Sequence, residues 1–62
     1  MIQEAIQKLV GRKNLTFDES ASVMGQIMEG DTTPAQLGAF LTSLRMKGET
    51  VGEVAGMASV MR

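Results

Sequence analysis

The side chains of this sequence that could do chemistry are carboxylates and amines. Glu4, Asp18, Glu19, Glu29, Asp31, Glu49 and Glu53 stand against six lysines and arginines, and His, Cys, Tyr and Trp are all missing. A general base working near neutral pH would have to be a carboxylate raised by burial or a lysine lowered by it. The carboxylates, however, fall mostly at helix starts or in turns, where capping and the helix dipole account for them. A metal could be held only by oxygen ligands, and "EGDTT" at 29–33 has neither the length nor the pattern of a calcium-binding loop. "MKGET" places Gly48 and Thr50 just before a helix, where free backbone N–H groups could hold an anion. Glu49 and Glu53 put two negative charges at that spot, and a helix-ending glycine followed by an N-cap threonine explains the segment fully. The expectation is therefore no autonomous active site, with no catalytic, cofactor-binding or metal-ligating residue.

The elements around these residues are helices. Ile2, Ile6, Leu9 and Val10 recur at helical spacing opposite Gln3, Glu4, Gln7 and Lys8, which predicts a first helix over about 2–10, ended by Gly11. "GRKN" is a turn. Phe17, Ala21, Met24, Ile27 and Met28 stripe a second helix over about 17–29, opened by a capping box of Thr16 and Glu19 and closed at Gly30. A third spans about 34–47, with Thr33 as N-cap, Pro34 in the first turn, Gln36 reaching back, Lys47 at the negative end of the dipole and Gly48 as the stop. The box of Thr50 and Glu53 opens a fourth over about 51–61, with Val51, Val54, Ala55, Ala58 and Met61 assigned to its inner face. No alternating β-branched run suggests a strand. The three boxes recur every 17 residues, a spacing that short helices joined by short loops produce without any repeat. The fold class expected is all-α, a small orthogonal bundle of four short helices forming one domain over 1–62.

Glycine inside a helix costs roughly 1 kcal/mol relative to alanine. Gly25, Gly38, Gly52 and Gly56 are therefore expected to serve close helix approach. The third helix carries two apolar stripes, Leu37, Phe40, Leu41 and Leu44 beside Ala35, Ala39, Thr42 and Met46, and leaves Gln36, Ser43 and Lys47 for solvent. A helix apolar on most sides is normally buried on most sides. Four short helices either cover the second stripe or leave it for something outside the chain.

Sixty-two residues lie near the lower limit of what a single core can stabilise, so partner surface is a natural expectation. The net charge of -1 gives no electrostatic footprint for nucleic acid, and the pairs Arg12–Lys13 and Arg45–Lys47 read as solvated helix ends. Absence of cysteine fits a reducing interior. There is no 18-residue apolar run for a membrane helix, and "MIQEAIQKLV" carries Glu4 where a signal peptide would be basic and apolar. A cytoplasmic location is the default expectation.

"IMEGDTTPAQLGAFL", "LRMKGET" and "EVAGMASVMR" together are more specific than any capping box. With the residues around them they resemble the N-terminal helical segment of the anthranilate phosphoribosyltransferases, a family related in fold to the pyrimidine nucleoside phosphorylases. The likeness covers essentially the whole chain. Ser20, Ala21 and Ser22 depart from it where the family often carries more acidic residues. The likeness also stops at Arg62, where the family's chain continues.

The resemblance implies the N-terminal part of a larger two-domain enzyme that joins anthranilate to the ribose of phosphoribosyl pyrophosphate in tryptophan biosynthesis, with magnesium bound by the full-length enzyme. It places the phosphate-binding and anthranilate-binding residues in a later α/β catalytic domain, so no catalytic residue carries over to these positions. It further implies that this helical domain flanks the active-site cleft, gains helices from further along the chain and forms a homodimer through its first and third helices. Ile2, Ile6, Ala39, Thr42 and Met46 are the interface candidates. The alternative from another class is a stand-alone helical protein–protein interaction module without catalytic activity.

Overall fold

In a computed structural model that describes residues 1–61, the chain forms four α-helices and, among the described residues, no strand. They are α1 (Ile2–Val10), α2 (Phe17–Met28), α3 (Pro34–Lys47) and α4 (Val51–Met61). The expected boundaries are met to within a residue. All three capping boxes close: the hydroxyl oxygens of Thr16, Thr33 and Thr50 accept from the amides of Glu19, Gln36 and Glu53, and those three side chains accept in return from the threonine amides. Each box satisfies two helix-end donors that would otherwise lack a partner.

The helix stops follow the sequence less closely. Gly30 and Gly48 take positive φ, at 75° and 95°, as helix-ending glycines do. At the end of α1, Gly11 keeps an ordinary φ of -78° and Arg12 takes the left-handed conformation instead, at 61°. The amides of Arg12 and Lys13 then return to the carbonyls of Leu9 and Lys8, satisfying the last turn one residue later than expected.

The helices pack chiefly as two pairs, α1 against α3 and α2 against α4, with α1 and α2 in lesser contact. The Cα trace measures 26 × 24 × 15 Å, so its shortest dimension is that of two packed helix layers, about 8–10 Å between axes plus the roughly 4.6 Å width of one Cα cylinder. The buried apolar core is correspondingly small. It comprises Ile2, Ala5 and Leu9 of α1, Leu15 of the loop between α1 and α2, Val23 of α2, and Phe40 and Leu44 of α3. Ile6, Ile27 and Met57 pack against it from the side.

Several stripes are rotated from their expected orientation. Val10 belonged to the inner stripe of α1 but is 68% exposed, and Ala5 takes its place. In α2 the ends of the expected stripe, Phe17 and Met28, are exposed, and Ser20 and Val23 are the buried residues. The largest correction concerns α4. Val51, Val54, Ala55, Ala58 and Met61 all face outward, Val51 at 87% exposure, and the helix instead buries Glu53 and Gly56.

Glycine explains this rotation. A Cβ at Gly56 would overlap the Ser20 hydroxyl and the Phe17 carbonyl of α2, so Gly56 is where the two backbones come close. Gly25, Gly38 and Gly52, expected to serve the same purpose, have open space where a Cβ would sit. Close approach therefore accounts for one of the four interior glycines.

Candidate functional site: two apolar faces and a buried ion pair

The carboxylates were assigned to capping and dipole roles, and six of the seven lie at least partly at the surface. Glu4 pairs with the N-terminal amine. Glu19 pairs with Lys8 at 2.7 Å while also accepting from the Thr16 amide. Both carboxyls are held below the usual glutamate range, Glu4 chiefly by its bond from the N-terminal amine and Glu19 chiefly by its bond from Lys8. Among the described residues no group of three or more Asp, Glu, His or Cys side chains could hold a metal ion, so these positions do not fit a magnesium site.

Glu53 differs from the rest because it is both a cap and fully buried. Its Oε1 accepts from the Thr50 amide at 2.9 Å and from Lys47 Nζ at 3.0 Å, and its Oε2 accepts from the Leu15 amide at 2.7 Å. Burial alone pushes this carboxyl up. The bonds from the Leu15 and Thr50 amides and from Lys47 outweigh that effect and leave it below the usual range. Lys47, expected as a solvated cation at the helix end, is buried with it and also donates to Asn14 Oδ1 at 3.0 Å and the Gly48 carbonyl at 2.7 Å. Sequence reasoning missed this arrangement. The available signal was Lys47 followed six residues later by a capping-box glutamate.

The two outward apolar faces are the other features with functional potential. On α3 the polar Gln36 and Ser43, left for solvent by the sequence reading, are half-buried, the Lys47 side chain is buried against Glu53, and Ala35, Ala39, Thr42 and Met46 are exposed. That second stripe is thus the uncovered one, with Met46 at 76% exposure. A shallow groove beside it, of about 160 Å³, is lined by Leu9, Val10 and Arg12 of the α1 end and by Ser43, Met46 and Lys47 of α3. Of the interface candidates, Ala39, Thr42 and Met46 share this open face, whereas Ile6 packs half-buried against the core. Ile2 is 1% exposed. It is a core residue and offers no surface to a partner, which corrects its assignment.

The second face is that of α4. Val51, Val54, Ala58 and Met61 follow one another at intervals of three, four and three residues, the spacing of a coiled-coil seam. Ala55 beside them is also exposed and no charged side chain interrupts the row. No described helix is long and apolar enough to cross a membrane.

Residues 3–62 match the model of the glycosyl transferase family, helical bundle domain. The whole chain is 68% identical to an anthranilate phosphoribosyltransferase of Dehalococcoides mccartyi, of which it covers 18%. It is 60% identical over its full length to that of Pelobacter propionicus, and 64% identical over 98% of its length to that of Chloroflexus aurantiacus, covering 18% of each. The chain thus spans less than a fifth of the length of these curated relatives.

Proposed function

Because this chain belongs to the helical bundle domains of the glycosyl transferase family, we infer that it is the N-terminal dimerisation and cleft-forming domain of an anthranilate phosphoribosyltransferase. The full-length enzyme transfers the phosphoribosyl group of phosphoribosyl pyrophosphate to anthranilate, releasing pyrophosphate, in the tryptophan pathway of the cytoplasm. The single observation that carries this reading is 68% identity, across all 62 residues, to a protein of that name. On this reading the catalytic groups and the magnesium site belong to the α/β portion of the enzyme.

The role of this domain on that reading is to supply surface. The open stripe of α3, Ala39, Thr42 and Met46, with Val10 beside it, is the homodimer contact. The outward row of α4 is covered by the remainder of the same polypeptide. Two separate apolar faces support this division of roles, because a small protein that stays monomeric rarely exposes contiguous apolar surface without a use for it.

The test is a chimera in which this chain replaces the corresponding residues of the Dehalococcoides mccartyi enzyme. The chimera is expected to consume anthranilate in the presence of phosphoribosyl pyrophosphate and magnesium, followed by the loss of anthranilate fluorescence. A folded chimera that cannot turn over would overturn the assignment. Ala39→Asp with Met46→Asp in the same protein is expected to convert dimer to monomer in sedimentation, and an unchanged dimer would remove the α3 face from the interface.

A further inference from the structure

Helix α4 contributes no fully buried apolar side chain to the core. Its two fully buried residues are Gly56, pressed against α2, and Glu53. Of these, Glu53 reaches the other half of the molecule, bonding the Leu15 amide of the α1–α2 loop and Lys47 of the last turn of α3. Lys47 extends the connection to Asn14 of the same loop. The α1–α3 pair therefore meets the start of α4 through a knot of charge-assisted hydrogen bonds, whereas α2 packs against α4 directly.

We propose that the Lys47–Glu53 pair is a charge-operated latch: it fastens the first turn of α4 to the α1–α2 loop and the end of α3, and neutralising either residue frees this joint while all four helices persist. A buried carboxylate is tolerated only when its oxygens are fully bonded, and here three donors from three segments do this. Opening is local because each partner keeps bonds of its own. Without Glu53, Lys47 retains Asn14 Oδ1 and the Gly48 carbonyl. Without Lys47, the buried carboxylate has no counter-charge and turns toward solvent, leaving the Leu15 amide while keeping the Thr50 amide at the start of its own helix. The latch also sets the geometry between the two outward faces, since α3 carries one and α4 the other.

The latch is tested by native-state hydrogen exchange on the isotopically labelled 62-residue chain, comparing the parent with Glu53→Gln and Lys47→Met. The Leu15 amide is expected to exchange faster by about tenfold or more in both variants, the loss of a hydrogen bond to a charged group, while the amides of Leu9 and Leu44 keep their parent rates. Equal acceleration of every amide in both variants, or loss of the helical dichroism in both, overturns the latch, because the pair would then hold the whole fold and not one joint. Unchanged exchange at Leu15 in a folded variant also overturns it. Should Glu53→Gln alone fail to fold, Lys47→Met decides by the same comparison.

Discussion

Gly56 of α4 lies against Ser20 of α2 so closely that a methyl group on Gly56 would occupy the space of the Ser20 hydroxyl. That hydroxyl is itself fixed, donating to the Phe17 carbonyl at 3.0 Å. Neither helix can draw back without uncovering the other, since α4 has little else buried.

Gly56→Ala is therefore expected to destabilise the chain by about 1–3 kcal/mol, as overpacking of a tight interface does. Gly25→Ala is the matched control, because Gly25 is also inside a helix but has open space around it. There the substitution is expected to stabilise by roughly 0.5–1 kcal/mol through helix propensity. Urea unfolding followed by far-UV dichroism measures both, and the same sign for the two changes would contradict the packing described.

Acid is expected to weaken the fold through Glu53. The folded carboxyl lies below its ordinary value of 4.5, so its contribution to stability is fully present above that value and is lost as pH falls through the folded pKa. Stability measured from neutral pH down to about pH 3 should show a steeper acid limb in the parent chain than in Glu53→Gln. Parallel limbs would mean that other carboxylates dominate.

Thr33→Ala removes the acceptor for the Gln36 amide and is expected to cost about 1 kcal/mol, a typical N-cap loss. In a domain of this size that lowers the melting temperature by roughly 4–8 °C, which a thermal scan resolves. Thr33→Ser keeps the acceptor and should leave the melting temperature near that of the parent.

The outward row of α4 yields a prediction that depends on context. Val54→Lys and Ala58→Glu, both at exposed positions, are expected to change the stability of the isolated chain by no more than about 0.5 kcal/mol, as surface substitutions do. Placed in the chimeric full-length enzyme, the same pair is expected to lower its melting temperature clearly on the proposal that the rest of the polypeptide covers the row. Equal tolerance in both settings would separate α4 from the rest of the enzyme.

The helix boundaries were legible in the sequence because their causes are local. A threonine and an acceptor three residues on, a proline at the first turn, or a glycine at the end acts within one turn of the backbone, and three boxes written in the sequence closed as read. The second stripe of α3 was legible as an extra apolar face, but the sequence leaves open whether the other helices cover it, and the fold leaves Ala35, Ala39, Thr42 and Met46 exposed. Which face of α4 turns inward was not legible. Val51, Val54, Ala55, Ala58 and Met61 are apolar at helical spacing, and apolarity alone assigns them to the core.

The sequence by itself thus determined four helices, three of them opened by capping boxes, a composition without His or Cys, and the resemblance of the whole chain to one family's helical domain. Tertiary structure alone decided the rotation of α4, the burial of Lys47 with Glu53, and the place of Ile2 inside the core. The physical reason is distance along the chain. Gly56 meets Ser20, and Glu53 meets the amide of Leu15 thirty-eight residues earlier, and no local pattern announces a steric gap or a hydrogen-bond donor so far away.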